Sequence, residues 1–279
     1  MTDLEFKEKQ FDGPYEVSEI QINNEGQIFR GFLYFPPERF NKPYPVIIYF
    51  HGFPHLFTLK EIVKKYNFLL NLGYSLIVFN FRGYRFSEGK VSIRNQVSDG
   101  IKLIEFVDLM AKNEIFNLKE VSIIGYEFGA YIALILCSKV KIINKLLLIN
   151  PVLDIRRHVY SENFLKILNY INRFLPGNIH GIENIEQFVK FTKKELENQE
   201  FQIENVIHQI KCKKLKIIIR EVNTINYISE VKRIVKNLIK INIETKVSKN
   251  IDNNICFEED SKIFNHEVEL FFSLNSFLS

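Results

Sequence analysis

The feature that most constrains this chain is a set of short, unbroken apolar runs lying between stretches of helical spacing. "PVIIYF", "YSLIVFN", "VSIIG", "KLLLIN" and "KIIIRE" show almost no alternation of apolar and polar residues, so strands built from them must be covered on both faces. Between them come "LKEIVKKYNFLLNLG", which ends on Gly73, "NQVSDGIKLIEFVDLMAKN" and "FGAYIALILCSKV", each with helical length and periodicity. This alternation predicts a doubly wound, mostly parallel α/β sheet with helices on both faces. Ahead of it, "EVSEIQI" and "QIFRGFLYF" flank the turn signal "NNEG", which predicts an antiparallel N-terminal hairpin at a sheet edge.

Residues from about 155 to 210 break the rhythm. They offer "SENFLKILNYINRFL", "PGN" and "NIEQFVKFTKKELENQEF" without an obvious strand, over a length well beyond a normal connection. The segment is expected to be a small helical insertion or lid. No Ser- or Pro-rich linker, repeat or low-complexity tract divides the chain, so residues 1–279 are read as one domain.

Composition narrows the partners. The chain has 279 residues with 46% hydrophobic content, enough for a full core. Its 37 basic and 33 acidic residues leave a net charge of +4. Taken as spread along the chain, that surplus argues against nucleic acid or membrane as partners. Cys137, Cys212 and Cys256 are far apart and lie in or beside apolar runs, suggesting neither a disulfide framework nor a zinc site, and a cytoplasmic location is expected. The N-terminal "MTDLEFKEKQFDGPYEV" lacks the apolar centre of a signal peptide, and no apolar run approaches the ~20 residues needed to span a bilayer. No metal or cofactor is expected.

Three motifs, "IIYFHGFP", "NFRGYRFSEG" and "GYEFG", occur in this order at successive strand ends. Together they resemble the α/β-hydrolase superfamily, in particular its single-domain dienelactone-hydrolase-like and prolyl-peptidase-like esterases, over a region from about residue 15 to the end. The resemblance implies that the strand before Glu127 turns sharply into a helix and presents the apex side chain above the sheet, with Gly125 and Gly129 permitting the turn. It also implies an oxyanion hole built from the backbone N–H groups of Phe128 and of Phe53.

The chain departs from the family at every catalytic position. The esterases carry serine where Glu127 stands. The acid should follow the strand in "KIIIREVNTINYISE", where Arg220, Glu221, Asn223 and Thr224 occupy the corresponding positions. The histidine should fall in "EEDSKIFNHEVELFF", where Ser261 occupies its place. Candidate substitutes are His266 on the final helix, Asp154 in "NPVLDIRR" and Glu221, although the commoner roles are a structural histidine and a helix-cap aspartate. His51 is read as a backbone-bonded residue of the "HG" turn, and His55 as a loop residue near the pocket. Related sequences often have glycine where Arg85 stands. Arg85, ahead of Arg82, is therefore the candidate counter-charge for Glu127, the alternative being a surface arginine.

The leading functional expectation is a non-catalytic homologue that binds a small molecule or a protein partner. The alternative is a hydrolase of small esters or epoxides using Glu127 itself, as the resemblance to epoxide hydrolases and haloalkane dehalogenases, with aspartate at the elbow, implies. A third reading places the nucleophile elsewhere, but Ser87 lies in a loop, Ser122 in a strand, and Cys137 reads as a buried apolar residue.

Overall fold

The computed structural model describes residues 9–220, 225–251 and 262–273. Its strands are β1 (Gln10–Asp12), β2 (Tyr15–Asn24), β3 (Gln27–Tyr34), β4 (Tyr44–Phe50), β5 (Ser75–Asn80), β6 (Phe116–Tyr126), β7 (Ile143–Ile149), β8 (Lys214–Arg220) and β9 (Glu244–Ile251). They form one sheet in the order β1-β2-β3-β5-β4-β6-β7-β8-β9. The β2–β3 pair is the antiparallel hairpin expected from "NNEG", with Asn24 opposite Gln27. From β5 onward all neighbouring strands run parallel, and β5, β7 and the second half of β6 are buried as their unbroken apolar runs require.

The helices are α1 (Leu59–Tyr66), α2 (Phe68–Asn71), α3 (Ile93–Lys112), α4 (Phe128–Lys139), α5 (Ile155–Val159), α6 (Glu162–Phe174), α7 (Ile185–Glu195), α8 (Ile203–Val206), α9 (Ile225–Lys240) and α10 (Lys262–Phe272). Local chemistry sets several starts. Thr58 and Glu61 form a capping box before α1, and Ser92 caps α3 through the Asn95 N–H. Helix α4 is apolar on every side and buried from Phe128 to Cys137, which fixes it as the central helix under the site. One core cluster joins the sheet to α3, α4, α9 and residues of the 155–210 segment; the other joins it to α1, α2 and α10.

Residues 155–210 contain α5 to α8 and two short 3-10 turns, and among the described residues their sole β-bridge is Ile179 to Tyr84. This helical cap is latched to the loop after β5. The Arg85 N–H donates to the Asn178 carbonyl at 2.9 Å, and the His180 N–H donates to the Gly83 carbonyl at 2.7 Å. Beneath that loop, Arg82 and Asp99 form a buried ion pair at 2.7 Å. Among the described residues no helix is long and apolar enough to cross a membrane.

Candidate active site

Strand β6 ends at Tyr126 and α4 begins at Phe128, leaving Glu127 alone at the turn with φ 48° and ψ −110°. A non-glycine residue in that region is strained, by a cost on the order of 1–3 kcal/mol, and persists only where its surroundings force it. Here they do. The Glu127 N–H donates to the Ile149 carbonyl at 2.8 Å, and its own carbonyl accepts from Ala130 at 3.1 Å and Val152 at 3.2 Å. The flanking glycines have no alternative. A Cβ at Gly125 would lie 2.6 Å from the Ala130 Cα, and one at Gly129 would lie 2.2 Å from the Phe50 carbonyl oxygen.

The Glu127 carboxylate folds toward the "HG" loop, with Oε2 3.4 Å from where a Gly52 Cβ would stand. Its charge also reaches the start of α9: the Tyr227 hydroxyl is held above its usual range by burial first, then by Glu230 and Glu127. Beside the apex lie the two predicted oxyanion donors. Among the described residues neither the Phe53 nor the Phe128 N–H finds an acceptor. The rings of these residues form the joint between loop and cap. Phe53 meets Phe128 edge-on with centroids 5.5 Å apart, and reaches Phe164 of α6 at 5.6 Å and Phe188 of α7 at 5.4 Å.

The histidines of the loop have structural partners. His51 is fully buried; its Nδ1 bonds the Gly52 carbonyl at 2.8 Å and its Nε2 accepts from the Phe81 N–H at 3.3 Å, which fixes the neutral tautomer. Burial pushes its pKa down to about 4, with a smaller push from Arg85. His55 stacks on it at 4.7 Å, and burial, followed by His51 and Arg85, also lowers its pKa. Both rings are therefore neutral at pH 7.

The pairing expected between Arg85 and Glu127 does not form. Arg85 sits in the left-handed region at φ 46°, and its guanidinium donates to the Leu56 carbonyl at 2.5 Å. No ion pair between Arg85 and Glu127 occurs among the described residues. The physical reason is the loop itself, whose left-handed turn and bond to Asn178 aim the side chain along the 51–57 loop. Arg82 is committed to Asp99. Asp154 caps α5 by accepting from the Arg157 N–H at 2.9 Å, and His266 is exposed on α10. Ser122 lies within β6, Ser87 in the loop after β5, and Cys137 is buried in α4. Glu221, Thr224 and Ser261 lie outside the described residues.

A cavity of about 520 Å³ opens over the elbow. Gly52, His55, Tyr126 and Glu127 line it from the sheet side, and Ile167 and Tyr170 of α6 from the cap. These two cap residues are 44% and 52% exposed and share a stripe with Phe174, which is 57% exposed. Sequence reading missed this contribution. The signal was there in "SENFLKILNYINRFL", where residues 167, 170 and 174 form a second apolar stripe about a quarter turn around the helix from the buried Phe164, Leu168 and Ile171. No group of residues suited to hold a metal ion occurs among the described residues.

A strained strand-to-helix elbow thus stands at the ends of parallel strands, beneath a capped cavity. A family model described as the alpha/beta hydrolase fold matches residues 45–192, and the chain belongs to that family. It is 30% identical over 142 residues to the lysophosphatidylserine lipase ABHD12 of Danio rerio, a match covering 50% of this chain and 35% of that protein. It is likewise 30% identical over 144 residues to the uncharacterized protein RP471 of Rickettsia prowazekii, covering 52% of this chain and 58% of that one. The match thus spans little more than half, or less, of these relatives. Among solved structures, the Pyrococcus furiosus esterase PF2001 superposes with a TM-score of 0.62 at 18% identity, covering 92% of this chain and 88% of the esterase.

Proposed function

We propose that this α/β-hydrolase-family protein binds a small amphiphile in the cavity over Glu127 and does not perform serine-type ester hydrolysis. The observation that carries the reading is the elbow: its strained backbone is present around a residue that is glutamate, with the Phe128 N–H next in the chain and the Phe53 N–H on the "HG" loop, neither bonded among the described residues. A glutamate cannot serve as the serine that a histidine base activates. The apolar stripe of α6 at the cavity mouth supports a ligand with an apolar chain. The two N–H donors suit a carbonyl or carboxylate oxygen at the ligand's polar end. The lipase name of the Danio rerio relative points to the same substrate class.

Binding is tested by titrating dansyl-undecanoic acid into the purified chain. The reading expects saturable binding that weakens several-fold in Tyr170→Ala, since loss of one stacked aromatic wall removes on the order of 1 kcal/mol. Absence of saturable binding contradicts it.

One geometric fact favours a second reading, in which Glu127 attacks the substrate itself: its carboxylate lies against Gly52, next to the oxyanion loop. Carboxylate displacement would form a covalent ester that a base-activated water must then open. Of the two histidines of the loop, His51 is bonded through both ring nitrogens, whereas His55 lines the cavity with Glu127 and its buried Nε2 has no hydrogen-bond partner among the described residues, which makes it the candidate base for this second reading.

A further inference from the structure

On α3, α6 and α7, exposed lysines sit one turn from a carboxylate. Lys112 pairs with Asp108 at 2.7 Å, Lys166 with Glu162 at 2.5 Å and Lys190 with Glu186 at 2.7 Å. Helix α9 departs from this pattern. Lys232, Lys236 and Lys240 recur every four residues, are exposed, and make no ion pair or hydrogen bond among the described residues. They border a groove of about 480 Å³ whose apolar walls include Ile219 of β8, Val247 of β9, and Ile228, Val235 and Ile239 of α9. Ile239 is 55% exposed. Because β9 is the last strand of the sheet, the groove runs along a molecular edge.

The charge surplus lies in the segment that carries this edge, although two of its lysines on β8 are paired, Lys216 with Glu267 at 2.5 Å and Lys214 with Glu244 at 3.3 Å. Residues 211–250 hold eleven basic and three acidic side chains, against a whole-chain net of +4. The rest of the chain is therefore net negative, and the surplus is concentrated here instead of spread as first read. Arg233 and Lys246 are also exposed, but each is paired with a carboxylate, Glu204 at 3.3 Å and Glu244 at 3.7 Å.

We propose that the α9–β9 edge docks on an anionic membrane surface, the three lysines meeting acidic headgroups and Ile239 with the groove taking apolar contact below them. A purely basic face would suit any polyanion, and a purely apolar one another protein. The combination of an unpaired lysine row with an exposed apolar strip is what an interfacial helix presents to acidic lipid. This docking does not depend on the chemistry of Glu127.

Flotation of the full chain with vesicles of phosphatidylcholine, and of phosphatidylcholine mixed with phosphatidylserine, tests it. Binding to the mixed vesicles is expected to exceed binding to neutral ones by about tenfold or more, and to weaken as salt is added. The variant Lys232→Gln/Lys236→Gln/Lys240→Gln should lose roughly tenfold or more, since each lysine near such a surface contributes severalfold. Ile239→Ser should lose part of the binding. The variant Lys102→Gln/Lys112→Gln/Lys190→Gln, which removes the same charge elsewhere, should bind as the parent does. No flotation, an unaffected α9 variant, or equal losses in both triple variants overturns the proposal. So does binding of monomeric short-chain phosphatidylserine as tightly as vesicles, which would mark a site for single amphiphiles.

Discussion

Glu127 and its glycine neighbours make the residue scale testable. A methyl group at position 129 would enter the Phe50 and His51 carbonyl oxygens at 2.2 and 2.4 Å, with no flexible side chain to yield. Gly129→Ala should therefore cost about 3 kcal/mol in a urea melt. A second test concerns His51. Unfolded, the ring takes up a proton near 6.5; folded, burial delays this to about 4. Its folded pKa is depressed, so its neutral form favours the folded state above about 6.5, and stability is lost as pH falls from there toward 4. The loss reaches roughly 3 kcal/mol for a ring so completely buried. His51→Asn, which has no such proton to bind, should be less stable than the parent at pH 7, and the gap should narrow by pH 4.5; a constant gap contradicts this. At this scale the glycines and the apex were legible, because only a tight turn explains Gly125 and Gly129 around one polar residue. The direction of Arg85 was not. A loop side chain's aim depends on a left-handed backbone turn and a long-range bond to Asn178, neither of which leaves a local pattern.

Elements followed the same division between local and distant causes. The five unbroken apolar runs became β4 to β8 because burial on both faces is written into their composition. Strand β9 was missed since "ETKVSKNI" is mostly polar, with Val247 and Ile251 its only aliphatic residues, a composition tolerated in the last strand of the sheet. The predicted helix over 59–73 divides at Asn67, the cap shared by α1 and α2. The loop after β5 rests on a buried network, in which the Asp99 carboxylate accepts from the Arg82 Nε at 2.7 Å, the Arg82 N–H at 2.8 Å and the Asn24 amide at 2.8 Å. Burial outweighs these donors and holds the Asp99 pKa above its ordinary value. Asp99→Ala would leave the Arg82 guanidinium, only 2% exposed, with Glu25 at 3.0 Å as its remaining carboxylate, and should cost about 3 kcal/mol in equilibrium unfolding. Loss below 1 kcal/mol would show that water replaces the carboxylate.

Across the whole molecule, two surfaces stand apart: the capped cavity at the ends of the parallel strands and the basic edge along α9. Fold class followed from periodicity and motif order, whereas the basic edge was missed because a whole-chain net charge averages over opposite local surpluses. The central claim concerns the cavity. It is tested most directly by turnover of p-nitrophenyl acyl esters and of styrene oxide by the purified protein beside Glu127→Gln, which keeps the shape of the apex and removes its charge. The account predicts no turnover above the buffer rate in either protein. Turnover by the parent that disappears in Glu127→Gln would contradict it and assign the carboxylate a chemical role.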